Sequence, residues 1–158
     1  MNDFSDLEKL VETNLNGGTL LLENQNLGDG GIRNLSQMEK LSQVIHLELG
    51  DNGITNEGLT ALCASPYLGR LKTLNIKSNK ITAEGARTIA QCEKFSDLDQ
   101  LVMKFNDIGA EGACHLAAST NLQKLRTLDL FRNHIGPEGA RAIKTSQNFK
   151  NLSRVRLD

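Results

Sequence analysis

The chain has 158 residues, the length of one domain or of a short array of repeats. Its 18 basic and 19 acidic residues nearly cancel, which removes the global field that would recruit nucleic acid or an anionic membrane. Three cysteines without close spacing predict free thiols in a reducing compartment, and no run approaches the roughly 18 apolar residues of a membrane span.

The first stretch, MNDFSDLEKLVETN, carries acids where a secretory leader needs basic residues. Residues 5–13 predict a helix, with Ser5 and Glu8 as a capping box and Leu7, Leu10 and Val11 on one apolar face. The helix lies outside the register of everything that follows. Residues 1–17 are therefore assigned as a cap over the core of a repeat array spanning 18–158.

That array has a period of 27. Asn52, Asn79, Asn106 and Asn133 are equally spaced, and Gln25 stands one step earlier. Five residues before each anchor lie Leu20, Leu47, Leu74, Leu101 and Leu128, and three before it Leu22, Leu49, Ile76, Met103 and Leu130. These alternate positions face one side of a short strand. The anchor amide follows in a turn, where it can satisfy backbone groups and stack on the anchors of neighbouring repeats. Leu27, Ile54, Ile81, Ile108 and Ile135 come two residues later, and Leu35, Leu62, Ile89, Leu116 and Ile143 ten later, as the buried stripe of a helix.

Helix starts are marked by Thr55 and Thr82 as N-caps, with Gly28, Gly109 and Gly136 in the other copies and Pro137 in the first helical position. Glu57, Glu84, Glu111 and Glu138 occupy the first turn, where the helix dipole favours them. Each is followed by a glycine (Gly58, Gly85, Gly112, Gly139), unfavourable in a helix by about 1 kcal/mol, which predicts close approach of the adjacent repeat. Five full repeats are followed by a sixth strand, SRVRLD, with Val155 and Leu157 in the core positions. Its edge would be open to pairing unless Arg154, Arg156 and Asp158 discourage it, a partner covers it, or the chain continues beyond this strand.

The segments LKTLNIKSNKITAEGARTIA and LRTLDLFRNHIGPEGARAIK resemble leucine-rich repeats of the ribonuclease-inhibitor-like subclass. The resemblance covers roughly residues 18–158. It implies an α/β fold: a curved solenoid with parallel strands on the concave face and helices on the convex face. The residues alone lead to the same strand–turn–helix unit, which cannot bury its apolar face without neighbours.

Strand positions that alternate with the core pair project from the concave face. Four before the anchor these are Leu21, Glu48, Asn75, Val102, Asp129 and Arg156; two before it, Glu23, Gly50, Lys77, Lys104, Phe131 and Asp158. His46 and Arg154 lie at the start of their strands, and Phe105 and Arg132 at the rim. Leu21 is expected to be covered by the N-terminal helix. Acids gather at the N-terminal end, while Lys77, Lys104, Arg132, Arg154 and Arg156 gather at the other. Aromatic side chains flanked by arginine and aspartate have the composition of an interface hot spot. Two placements are open to Phe105 and Phe131: on this face, or folded over the strand edge into the core. The candidate protein-binding set is Glu23, His46, Glu48, Asn75, Lys77, Val102, Lys104, Phe105, Asp129, Phe131, Arg132, Arg154 and Arg156.

Catalytic and metal chemistry find no support in the residues. Cys63, Cys92 and Cys114 fall at different phases of different repeats, lack zinc-ligand spacing, and read as small core residues. His46 and His134 have no convergent ligand, although His46 and Glu48 share one strand face. GDGG at 28–31 is a turn and helix start without the context of a dinucleotide site. The expectation is a non-enzyme with no cofactor and no metal, binding another protein and neither nucleic acid nor membrane. The resemblance implies one specific form, occlusion of the active site of a partner enzyme. An adaptor with two binding surfaces, or regulation of a GTPase involving Arg132, stand as alternatives. Resemblance to short repeat proteins of bacteria that live inside host cells implies a cytoplasmic location, in the producing cell or after specialised delivery into host cytosol.

Overall fold

The computed structural model describes residues 4–69 and 71–158; residues 1–3 of the segment assigned as a cap lie outside them. Helix α1 (Phe4–Asn14) leads into a two-residue strand β1 (Leu15–Asn16). Strands and helices then alternate: β2 (Thr19–Leu21), α2 (Gly28–Ser36), β3 (His46–Glu48), α3 (Asn56–Ala64), β4 (Thr73–Asn75), α4 (Ala83–Gln91), β5 (Gln100–Val102), α5 (Gly109–Ala117), β6 (Thr127–Asp129), α6 (Gly136–Thr145) and β7 (Arg154–Arg156). One sheet holds the strands in chain order. From β2 to β7 pairing is parallel with no slip, so Leu20, Leu47, Leu74, Leu101, Leu128 and Val155 form one row. The result is a curved α/β solenoid.

β1 was not expected from the sequence. It pairs antiparallel with β2 across the Gly17–Gly18 turn, both glycines having positive φ, and so closes the first edge of the sheet. Leu7 and Val11 of α1 are buried beside it. Leu21, expected beneath this helix, is 54% exposed, because its strand position points to the opposite face.

The core rows read from the sequence are buried in every full repeat. Two further rows sit in the segments between helix and strand. Leu41, Leu68, Phe95, Leu122 and Phe149 form one, and Val44, Leu71, Leu98 and Leu125 the other. Val155, in strand β7, is 43% exposed.

The anchor amides join repeats through backbone groups. Asn52 Nδ2 donates to Leu22 O in the preceding repeat and to Leu49 O and Gly50 O in its own (2.7, 3.1 and 3.0 Å). Its Oδ1 accepts from the amides of Gln25 and Leu27 (3.0 and 3.2 Å). Asn79, Asn106 and Asn133 bridge in the same way. The Gln25 side chain at the first position stays within its own repeat, donating from Nε2 to Glu23 O. At the last, Asp158 leaves the concave row assigned to it. Its carboxylate accepts from the amides of Asn133 and Ile135 (2.9 and 2.8 Å), the two groups that a following anchor takes elsewhere.

A second set of links crosses the helix starts. Asp29 accepts from Thr55 N, Thr55 Oγ1 and Gly58 N of the next repeat (2.8, 2.7 and 3.0 Å), which is what the GDGG segment contributes. A Cβ on Gly58 would lie 2.5 Å from that carboxylate, so glycine is required there. Thr55 caps α3 by accepting from Glu57 N, whereas the Thr82 hydroxyl accepts from Asn56 Nδ2 instead of capping α4. Gly28, Gly109 and Gly136 open their helices with positive φ rather than as extended caps.

Cys92 lies in the core and Cys63 packs against it, as expected of small core residues, while Cys114 is half-buried; the first two also interact with one another. At the helix C-termini, Ser65, Ser119 and Ser146 donate to carbonyls of the preceding repeat, at Ser36, Ala90 and Ala117. Cys92 occupies that row in the third repeat, as Met38 does in the first, and it hydrogen-bonds the Cys63 thiol. Lys94 takes over the freed Cys63 carbonyl and donates to Ser65 O as well. Hydrogen bonding to Cys92, with burial, pushes the Cys63 thiol well above its ordinary range, while the same hydrogen bond lowers Cys92.

Asn52→Ala is expected to cost about 3 kcal/mol in urea denaturation, since it orphans several buried backbone groups, while Gln25→Ala costs less than about 1 kcal/mol. Gly112→Ala gains helix propensity, yet its Cβ would lie 3.1 Å from Ala83 Cα and from Ala86 Cβ. It is expected to lower stability by about 1 kcal/mol, measured the same way. Cys63→Ala removes the bond that lowers Cys92, so alkylation of Cys92, followed by peptide mass spectrometry, is expected to start at higher pH than in the wild type.

Candidate functional site

The parallel register carries the alternate strand positions onto one continuous face. The structure divides the thirteen candidate residues on it into two groups. Those near the N-terminal end satisfy one another. Lys77 Nζ reaches Glu23 Oε1 at 2.6 Å across Gly50, where any Cβ would lie 2.9 Å from the Lys77 side chain. The hydrogen bond to Glu23 holds the Lys77 ammonium above its usual range. Asn75 Nδ2 donates to Glu48 Oε2 at 2.6 Å, and His46 Nδ1 lies 2.9 Å from Thr73 Oγ1. His46 and Glu48 are therefore each engaged with β4 rather than with one another.

The second group lies on β5, β6, β7 and the turns that follow. Phe105 and Phe131 do not fold into the core. Phe105 is 41% exposed and Phe131 half-buried, with ring centroids 5.9 Å apart and planes at 81°, an edge-to-face pair. Arg132 Cζ lies 5.7 Å from the Phe105 centroid and 5.6 Å from that of Phe131. Arg156 Cζ stacks at 4.1 Å on Phe131, and Lys104 Nζ lies 5.9 Å from Phe105. Val102 and Asp129 are paired neighbours on β5 and β6. Asp129 Oδ1 accepts from Phe131 N at 3.0 Å, so this carboxylate is engaged with the backbone. Arg154 is exposed at the start of β7, apart from the rings.

The residue before each anchor has a left-handed backbone: Asn24, Asp51, Ser78, Phe105 and Arg132 have φ of 58°, 55°, 51°, 58° and 55°. Asn and Asp tolerate this region, whereas larger side chains there cost on the order of 1 kcal/mol. The fourth and fifth repeats thus place bulky groups where the backbone favours small polar ones. The sequence shows the row, but its positive φ emerges only in the folded turn.

Sequence reasoning missed a charged furrow of about 550 Å³ at the N-terminal ends of the strands, with Lys72, Asp97, Asp99, Lys124 and Arg126 in its lining. Asp97 accepts from Lys124 Nζ at 2.5 Å and lies 3.9 Å from Lys72 Nζ, and the two ammonium groups, Lys124 first, hold its carboxyl below the usual range. Asp99 pairs with Arg126 at 3.3 Å. The signal was available in the period: these residues occupy the rows seven and nine places before the anchor. Such exposed pairs, screened by solvent, contribute little to stability. Among the described residues no three His, Cys, Asp or Glu side chains converge as a metal-binding group.

A family model described as a leucine-rich repeat matches residues 44–63, 71–90 and 121–144. No curated protein matches the chain. Among solved structures, the crystal structure of an internalin from Listeria monocytogenes is similar, at 21% identity and a TM-score of 0.49. The similarity covers 87% of this chain and 38% of that one, so the chain spans well under half the internalin's length. The three matched segments fall in register with the period of the anchor asparagines, and each is similar to a leucine-rich repeat.

Proposed function

We propose that the protein is a non-catalytic binding module that grips another protein with the C-terminal half of its concave face. Leucine-rich repeats generally mediate protein–protein interaction. One observation carries the assignment to this part of the surface: the Phe105–Phe131 pair stays outside the core, overlaid by Arg132 and Arg156, while the polar residues nearer the N-terminus pair among themselves. Aromatic and arginine side chains on a rigid support are what interface hot spots are made of. A scaffold fixed by the anchor amides binds with little ordering cost.

The ribonuclease-inhibitor-like resemblance extends the reading to occlusion of a partner enzyme's active site, in a reducing cytoplasm or in host cytosol. Arg132 then serves as a contact residue rather than a catalytic one, since its guanidinium lies beside both rings, 5.7 and 5.6 Å from their centroids. A second reading is an adaptor with two surfaces.

Partners captured from native lysate with the wild-type protein are expected to be lost with Phe131→Glu combined with Val102→Arg, by a factor of about 30 or more in affinity. Circular dichroism and melting establish equal folding. Retention of the partner by the folded double variant overturns the assignment to the concave face. Inhibition of a captured enzyme separates the occluding form from the adaptor.

A further inference from the structure

Resting on that reading of the concave face, we propose that the partner presents an acidic segment bearing an apolar side chain. Its carboxylates meet Lys104, Arg132 and Arg156, and its apolar group seats against Phe105 and Phe131.

Charge bookkeeping on this face supplies the argument. Elsewhere on the strand side, cations have carboxylate partners: Lys77 has Glu23, Lys124 has Asp97, and Arg126 has Asp99. Lys104, Arg132, Arg154 and Arg156 form no ion pair with any described carboxylate. The acids nearest in register are already committed. Asp129 accepts from the Phe131 amide, and Asp158 accepts from Asn133 and Ile135. These four cations therefore have no ion-pair partner among the described residues, on a chain whose total is near neutral.

Geometry selects the kind of anion. The Arg132 and Arg156 guanidinium carbons lie 5.6 and 4.1 Å from the Phe131 ring centroid, and neither planar N–H fork has a carboxylate partner among the described residues. Such a fork matches a carboxylate in two parallel hydrogen bonds. The rings pack edge to face, so they offer an apolar step rather than two parallel platforms for stacked bases. The left-handed backbone at Phe105 and Arg132 adds an independent sign. Equivalent positions hold Asn24, Asp51 and Ser78, residues whose small polar side chains suit that conformation better. Phe105 and Arg132 occupy it against the local backbone preference, and side-chain recognition supplies the reason.

The test uses the full chain and three fluorescein-labelled probes: a short peptide of Glu and Asp flanking a central Leu-Phe, the same peptide with Gln and Asn in place of the acids, and oligothymidylate. Anisotropy titration is expected to show the acidic peptide binding at least about tenfold more tightly than either other probe, with affinity falling as salt rises. Arg132→Asn places a residue suited to φ near 55° at that site. It is expected to raise Tm while weakening the acidic peptide by about tenfold, so that lost binding cannot be ascribed to misfolding. Arg156→Gln is expected to weaken it similarly, and Arg87→Ala on helix α4 to leave it unchanged. Equal binding of the amide peptide, tighter binding of oligothymidylate, no binding of any probe, or indifference to Arg132→Asn and Arg156→Gln each overturns the proposal. If any of these occurs while the captured partner is still lost with Phe131→Glu and Val102→Arg, the concave face remains the binding surface and only the acidic partner is wrong.

Discussion

Each anchor asparagine satisfies backbone groups of two repeats at once, and most of the architecture follows from that arrangement. The Asn52 side chain closes the turn after its own strand and accepts two amides of the repeat before it. These groups are buried, so an unfilled place would leave several donors and acceptors without water. An insertion between anchors would break the bridge on both sides. That is a physical reason for a period of 27 held without a gap, and for a sheet whose register never slips.

Once the strands are held at ladder spacing, the helices behind them must also lie close. The glycine row answers that demand. At Gly58 the space belongs to the Asp29 carboxylate, at Gly85 to Asn56, and at Gly112 and Gly139 to the small residues of the preceding helix. Helix propensity is sacrificed at one position per turn of the solenoid, and inter-repeat hydrogen bonds or close packing offset the loss. At the C-termini of α3, α5 and α6 a serine makes an equivalent crossing, and the thiol pair with Lys94 replaces it behind α4.

The core and the ladder occupy one side of each strand and the turn beyond it. The other side is left without a structural task, and there the repeats differ. Glu23, Lys77, Glu48 and Asn75 close on one another, which leaves a polar surface with its charges balanced. The aromatic and basic side chains of the later repeats pack together without neutralising one another, so the two ends of one regular sheet have different chemical character. A rigid frame lets that difference persist, because no side chain there can relieve its charge by moving the backbone.

How much could be read in advance depended on symmetry. Translation by 27 residues brings equivalent positions together, so the sequence alone determined the solenoid, the buried rows, the anchor ladder and the face that carries Val102, Phe131 and Arg156. It also placed the glycines at close approaches. Tertiary structure decided whatever joins unlike positions. Gly50 lets Glu23 and Lys77 meet, Asp158 takes the place of an anchor amide, Cys92 meets Cys63, and β1 closes the first edge. Each of these depends on side-chain reach and rotamer, or on a turn's positive φ, rather than on phase within the repeat. The Phe105–Phe131 pair belongs to the same class. Both residues lay on adjacent strands in the sequence reading, but whether they would pack outward under two guanidinium groups or turn into the core was settled only by a core already filled by its own leucine rows.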